Sequence, residues 1–365
     1  MSAAATLDQV SSPATVRRVV IHRAGGYDRL AFEEVAPTAP GVGEVAIDVR
    51  AVGVNYADVI VRMGLYASAK EFVGWPITPG FEVSGVITAI GPRDPSDPPD
   101  APELKVGDAV IACTLFGGYT THLVTKRRYV YHKPANLSFE QAAGAPAVLL
   151  TAWYAIHELA HPRPGQIALV HSAAGGVGSS LVQILKLGGN RVVGVVGSSH
   201  KVEAAKRLGC DVVIDKSTQD LWKLASEAAP NGFDSVYDAN GVETLKESYR
   251  HLRKAGKLVI YGFSTMMPKS GGKPNWRKLV SGYLRTPRFN PLDLTKDSKS
   301  VMAFNLSYLF DRMDILGPAM NDITRWLADG SLQPPTVTTY KLADVAQAHR
   351  DIESGKTIGK LVLVP

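Results

Sequence analysis

A run of small residues holds the densest chemical information in this chain. Ser172 and Ala173 lead into Ala174-Gly175-Gly176-Val177-Gly178, directly behind the apolar stretch Ile167–His171. Ala173, Gly175 and Gly178 fit the A-x-G-x-x-G form of a dinucleotide-binding turn. Backbone without side chains can turn sharply and approach a pyrophosphate, and Gly178 lets the next helix pack on the strand. That helix offers free N–H groups and a positive dipole end to phosphate oxygens. The triplet alone is a weak signal; a strand before it and a helix after it make it strong.

The tip of the following strand, Arg191–Val196, separates the two nicotinamide dinucleotides. It runs into Gly197-Ser198-Ser199-His200-Lys201, with no acid to hold a ribose 2′-hydroxyl. Small hydroxyl residues with Lys201, and Lys216 beyond the third strand, suit a 2′-phosphate instead. The expectation is NADPH over NADH; the competing reading of both lysines is a solvated surface. Asn240-Gly241 ends the fourth strand and Gly262-Phe263-Ser264 the fifth. Sites in open α/β sheets lie at the carboxyl ends of strands, so both turns should border the cofactor.

The elements that must position these residues follow from texture. Residues 17–146 hold short β-type runs broken by Gly and Pro, at 16–21, 44–54, 82–90, 109–112 and 123–130, which implies a compact mostly-β unit. From 147 to 263 strands alternate with helices: strands at 167–171, 191–196, 211–214, 235–238 and 257–262, helices at 178–187, 201–208, 221–228 and 245–252. Such alternation means βαβ units and a parallel sheet covered on both faces. Residues 264–294 read as an irregular basic insertion, and mixed α/β texture returns through 361–364. The division expected is a tail at 1–16, a β-rich domain from 17–146 and 295–365, and a doubly wound domain at 147–294.

Several classes are excluded. The chain has 365 residues, 45% hydrophobic and 20% charged, an ordinary globular composition with length for two cores. The formal net charge is +6 and the basic residues are spread along the chain rather than run together, which is no nucleic-acid footprint. Cys113 and Cys210 are too few for a disulfide framework and suit a reducing, cytoplasmic setting. No apolar run reaches the roughly 18 residues of a spanning helix. The Ala/Ser/Thr-rich first sixteen residues lack an apolar core and read as a mobile tail. Their Asp8 and their lack of arginine before Arg17 argue against a transit peptide.

Together the 174–178 loop, Val54-Asn55-Tyr56-Ala57-Asp58, Arg62-Met63-Gly64-Leu65-Tyr66 and Pro79-Gly80-Phe81-Glu82 resemble the medium-chain dehydrogenase/reductase superfamily. The closer resemblance is to its zinc-independent quinone oxidoreductase branch. Segments at 275–276, 283–291 and 299–306 look like the VAT-1-like subgroup. The resemblance spans about residues 17–365. It implies a GroES-like mostly-β catalytic domain with a Rossmann doubly wound cofactor domain, and a homodimer through the last strand of the latter. Zinc-using relatives place His before the Glu of Pro-Gly-x-Glu and Cys ahead of the first helix. Here those places hold Phe81 and Val54-Asn55-Tyr56, so no metal is expected.

Without a Lewis acid, hydride is best sent to a carbon activated by conjugation, as in a quinone or other α,β-unsaturated carbonyl. By resemblance, Tyr66 matches a catalytic tyrosine of enoyl-thioester reductases, and Asn55 an asparagine beside nicotinamide and substrate oxygen. Tyr66 either donates a proton or lines the pocket. Asn55 can donate and accept, or serve as a turn residue. Tyr56 belongs to the pocket or the core. Asp58 reads as a helix cap rather than a base. Thr151 is expected against the carboxamide, and Phe304 and Asn305 near the nicotinamide, with a core role for Phe304 equally open.

One feature supports a different class of function. Trp276, Leu279, Val280, Tyr283 and Leu284 make an apolar helical stripe flanked by Arg277, Lys278, Arg285 and Arg288. Such a helix packs on the protein's own core or on a dimer mate, or lies on an anionic membrane surface. The last option makes the chain a peripheral membrane or partner-binding protein with a little-used cofactor site.

Overall fold

The computed structural model describes residues 15–95 and 103–365. A two-stranded antiparallel ribbon of β1 (Val16–Val20) and β2 (Ala31–Val35) opens the chain. Then come β3 (Glu44–Val54), α1 (Tyr56–Arg62), α2 (Ala67–Phe72), β4 (Glu82–Ile90), β5 (Ala109–Cys113), β6 (His122–Lys126), β7 (Val130–His132) and α3 (Phe139–Ala143). Next, α4 (Pro146–Trp153) crosses toward the second sheet. The alternating part follows as β8 (Ile167–His171), α5 (Gly176–Leu187), β9 (Arg191–Val196), α6 (Val202–Arg207), β10 (Val212–Asp215), α7 (Leu221–Ala228), β11 (Phe233–Asp238), α8 (Leu245–Arg250) and β12 (Leu252–Ile260). The chain ends with α9 (Trp276–Arg285), α10 (Pro291–Asp297), β13 (Ser300–Ala303), α11 (Met313–Ala328), β14 (Val337–Lys341), α12 (Val345–Ser354) and β15 (Lys360–Val364).

Two sheets organise these elements. The first is parallel, in the order β10-β9-β8-β11-β12-β13. Its order reverses between β8 and β11, which fixes the crevice where a ligand sits. The strands read as Val/Ile/Leu runs because helices bury both faces, one against α4, α5 and α11, the other against α7 and α8. The second sheet runs β14-β15-β3-β4-β5-β7, with β6 also on β3. Its inward residues, Val45, Ile47, Val83, Ile87, Val110 and Leu363 among them, form a separate core. The GroES-like plus Rossmann architecture expected from the sequence is the one observed.

Four expectations need correction. The strand read at 123–130 is two, β6 and β7, because β6 pairs with β3 while β7 pairs with β5 and a turn at Arg127–Tyr129 must switch partners. The insertion at 264–294 is not irregular: Asn275 caps α9 by accepting from Lys278 N–H (3.0 Å), and Asn290 caps α10 by accepting from Leu292 N–H (3.0 Å). The boundary at 295 falls too early. Strand β13 extends the parallel sheet beside β12, and α11 buries Leu316, Ala319, Met320 and Ile323 against α4, so the return to the other sheet comes with β14. The apolar stripe does not pack on the chain's own core; α9 buries Gly282 and leaves Trp276, Val280, Tyr283 and Leu284 exposed. Of the expected tail at 1–16, residues 1–14 lie outside the described residues, while Val16 opens β1. No described helix is long and apolar enough to cross a membrane.

Candidate active site

The turn after β8 leaves no room for a side chain at Gly176 or Gly178. Ser172 adopts a left-handed conformation (φ 55°), and its carbonyl accepts Gly175 N–H at 2.8 Å. A Cβ on Gly178 would lie 2.1 Å from that same carbonyl oxygen, and one on Gly176 2.9 Å from Val148 Cγ1. Helix α5 starts at Gly176, so the N–H groups of Gly176, Val177 and Gly178 head a helix of 12 residues. Asn240, buried at the end of β11, accepts from Ser172 Oγ (3.3 Å), and its Nδ2 has no partner among the described residues. A side-chain-free cradle, helix-terminal amides and an orphaned buried amide donor are what a pyrophosphate needs. Phe263 and Ser264 close this rim: Ser264 N–H donates to Ala239 O at 3.0 Å and Phe263 is exposed. Gly262 lies beneath, its Cβ position 3.1 Å from Ala239 O.

Asp238 is what holds the turn after β11. It accepts from Asn240 N–H (2.8 Å), Gly241 N–H (3.0 Å), Thr244 Oγ1 (2.7 Å) and Ser248 Oγ (3.0 Å). His171 lies 3.6 Å from the same carboxylate, and burial pushes its pKa down.

At the β9 end, the Lys216 stem covers Gly197, with Cε 3.8 Å from the Gly197 Cβ position, and Lys216 is exposed. Ser198 starts the short turn that holds Ser199, His200 and Lys201. Lys201 is largely buried and its Nζ donates to Gly355 O at 2.6 Å. Burial lowers its pKa. The sequence reading found no acid at this tip, but the third strand supplies one. Asp215 accepts from Ser199 Oγ (2.6 Å) and Ser217 Oγ (2.6 Å), bonds that hold its pKa at about 2.

Across the crevice, Asn55 caps α1 and its N–H donates to Asp58 Oδ2 at 2.8 Å. That bond completes the capping role expected of Asp58, which also accepts Gly80 N–H at 2.8 Å. The Asn55 side chain is held by two charges: Nδ2 donates to Glu82 Oε1 (2.9 Å), and Oδ1 accepts from Lys360 Nζ. Lys360 and Glu82 form a buried ion pair at 2.6 Å. Glu82 Oε2 accepts Ala147 N–H (2.7 Å) in the first turn of α4, the helix that bears Thr151. The Thr151 hydroxyl donates back to Ala147 O at 2.6 Å. Tyr66 donates to Asn305 Oδ1 (3.0 Å) and bonds Ser307 Oγ at 2.7 Å. Burial raises the Tyr66 pKa, and these two bonds offset part of the rise. Phe304 packs on Tyr154 at 4.8 Å between ring centres. Tyr56 is half-buried in the first turn of α1.

The structure thus joins Tyr66 to Asn305, Asn55 to the α4 terminus, and Asn240 to the glycine turn. Sequence reasoning left out Lys360, Asp238 and Asp215, whose partners are remote in sequence or hidden in turns. Among the described residues, no group of three or more His, Cys, Asp and Glu is arranged to hold a metal ion.

Comparison with known proteins places the chain. Residues 41–135 match the alcohol dehydrogenase GroES-like domain family, and 208–363 the zinc-binding dehydrogenase family. A synaptic vesicle membrane protein VAT-1 homolog of Danio rerio is 32% identical over 96% of this chain and 70% of its own length. A 2-haloacrylate reductase of a Burkholderia species is 30% identical over 96% of this chain and 99% of its own. The crystal structure of an Escherichia coli quinone oxidoreductase complexed with NADPH superimposes with a TM-score of 0.81 at 27% identity, covering 96% of this chain and all of that one. The chain belongs to the medium-chain dehydrogenase/reductase superfamily, in its quinone oxidoreductase and VAT-1-like branch.

Proposed function

We propose that this chain is an NADPH-dependent reductase that sends hydride, without zinc, to a quinone or another α,β-unsaturated carbonyl. The observation that carries the reading is one backbone turn. Gly359 N–H donates to Ala174 O at 3.1 Å in the glycine loop, and the next residue, Lys360, holds Asn55. This turn ties the glycine loop that would hold a cofactor's phosphates to Asn55, the residue that would face its reacting end. The solved neighbour complexed with NADPH and the reductase relative support the same class.

Bound NADPH supplies the hydride. The chain's own residues do the rest. The N–H groups of Gly176, Val177 and Gly178, with Asn240 Nδ2, would hold the phosphates, and Lys201 and Lys216 would hold the 2′-phosphate. Hydride delivered to the β carbon would leave negative charge on the carbonyl oxygen. Asn55 has one N–H to offer that oxygen, and Tyr66 holds a proton that its raised pKa keeps in place until it is needed. Zinc independence is supported by the donor set: Phe81 precedes Glu82, and both Glu82 oxygens are already engaged.

The test follows NADPH and NADH consumption with an ortho-quinone, a para-quinone, a short enone and an enoyl thioester. NADPH-selective turnover that survives a strong chelator is the expected result. No binding of either dinucleotide overturns the reading.

A second reading is favoured by the exposure of α9. Residues 262–292 hold six cations and no Asp or Glu, so this segment alone equals the chain's net charge of +6. The outward face of α9 is Trp276, Val280, Tyr283 and Leu284, each more than half exposed. In this reading the helix rests on an anionic membrane surface and the cofactor site is little used.

A further inference from the structure

We propose that Lys360 is the positioning residue of Asn55: with Glu82 it fixes which way the Asn55 amide faces and ties that amide to the phosphate loop. The inference rests on the reductase reading above and names what sets the geometry of its amide.

The orientation argument is electrostatic. The oxygen of the Asn55 side chain faces the Lys360 ammonium, and its nitrogen faces the Glu82 carboxylate at 2.9 Å. Turning the amide over would press NH2 against a cation and C=O against an anion. Oxygen and nitrogen are therefore assigned by charge, where an isolated asparagine would adopt either. The side chains of Lys360 and Glu82 are 3% and 0% exposed, so solvent does little to screen them. With both charges satisfied, Asn55 retains one N–H and one lone pair for a reacting carbonyl.

Stability alone does not call for this arrangement. A buried ion pair is often no more stable than apolar residues of the same volume, because desolvation offsets the attraction. Two apolar residues at these positions of β4 and β15 could still pair the strands, yet would leave the Asn55 amide free to turn and Ala147 N–H without its acceptor.

The same turn reaches the cofactor loop. Gly359 has φ +68°, and a Cβ there would lie 2.2 Å from Thr336 O, so its path is fixed. Its N–H bonds Ala174 O at 3.1 Å, while Glu82 Oε2 holds the first turn of α4 through Ala147 N–H. Asn55 is thus referenced to both the phosphate loop and the helix that bears Thr151. A shift of about 1 Å in such a group can cost 100-fold in rate.

The experiment compares Lys360→Met with the charge-free pair Glu82→Gln/Lys360→Met, because the single change strands a buried carboxylate. NADPH affinity is read by fluorescence, and turnover with a para-quinone. The Asn55 side-chain amide is read by NMR of protein labelled with 15N at asparagine, its signal assigned by its loss in Asn55→Ala. The expected result in the pair variant is a folded protein with NADPH affinity within about twofold. Its Asn55 amide protons lose the shift given by the carboxylate, and kcat falls about 10- to 100-fold. Adding Asn55→Ala to it then lowers kcat no further. An unchanged amide signal with unchanged kcat overturns the inference, as does a loss fully additive with Asn55→Ala. Failure of both variants to fold assigns the pair to stability alone and overturns it too. If the unaltered chain binds no NADPH, the reductase reading falls and this inference with it; normal turnover by the variants removes this inference only.

Discussion

Asp58 and His349 both reach the buried hydroxyl of Tyr119, and burial moves them in opposite senses. Asp58 is raised to about 7, despite the N–H groups of Asn55 and Gly80 that favour its charged form. His349, 3.1 Å from Tyr119 Oη, is lowered to about 3 by burial, with Arg62 adding to the effect. Between the unfolded carboxylate value of about 3.9 and pH 7, folded Asp58 binds the extra proton, so its contribution to stability falls as pH rises. Between pH 3 and about 6.5 it is the unfolded histidine that binds the extra proton, so the His349 contribution rises with pH. The two slopes oppose one another over the acid range. Asp58→Asn should expose the histidine slope, with Tm climbing from about pH 4 to 6.5 more steeply than in the unaltered chain. His349→Gln should show the reverse, a Tm that declines toward pH 7. Scanning calorimetry across that range decides, and parallel curves for all three proteins would contradict both shifts.

Tyr66 permits a second argument at this scale. Its proton rests on Asn305 and its oxygen against Ser307. Tyr66→Phe removes a donor and leaves those partners less satisfied, at about 1 kcal/mol in stability. If the hydroxyl supplies the proton, kcat falls about 100-fold with KM little changed. Steady-state kinetics with a quinone and an enone checks this. Unchanged kcat with both acceptors makes Tyr66 a wall of the pocket.

Among the elements, α9 carries the most testable surface. Its inner side rests on Met266 through Gly282, and Lys278 Nζ donates to Met267 O at 2.8 Å, so the helix is anchored while its apolar face is not covered. Each cation near an anionic surface is worth about 1 kcal/mol, so Arg277→Glu/Arg285→Glu should weaken binding to phosphatidylserine vesicles by at least tenfold. Co-sedimentation should also be lost in about 0.5 M salt. Absence of vesicle binding in the unaltered chain removes the membrane reading. Most strands were readable beforehand because Val/Ile runs with Gly or Pro at their ends leave little choice: Glu44–Val54, Glu82–Ile90 and Ile167–His171 fall at the expected bounds. Helix α9 was legible in its apolar stripe, whereas α10 was missed because Pro287 and Pro291 suggest a loop. The informative signals were Asn275 and Asn290, caps that matter only once a helix follows. Lys360 was not legible as a site residue at all. It meets Asn55 across 305 positions, and nothing local to a β-strand lysine announces a buried carboxylate opposite.

At the scale of the whole molecule, the segment after α12 links the two sheets along the cofactor crevice. Gly355 O accepts from Lys201 Nζ (2.6 Å), Lys356 O accepts from His200 Nε2 (3.0 Å), Gly359 N–H donates to Ala174 O in the glycine loop, and Lys360 Nζ donates to Asn55 Oδ1. Lys201 is thus a tie between the sheets, to be told apart from the role proposed for it as the cation that meets the 2′-phosphate. A dianion brought against a buried ammonium gains more than one brought to a solvated lysine. Lys201→Ala should raise the NADPH dissociation constant about tenfold or more and leave that for NADH unchanged, since only the former has a charge there to lose. Lys201→Glu should erase or reverse the preference through repulsion. Fluorescence titration of both cofactors separates the jobs: a loss confined to NADPH places Lys201 in the phosphate site. An equal loss for both cofactors places it in the tie and leaves the 2′-phosphate to Lys216.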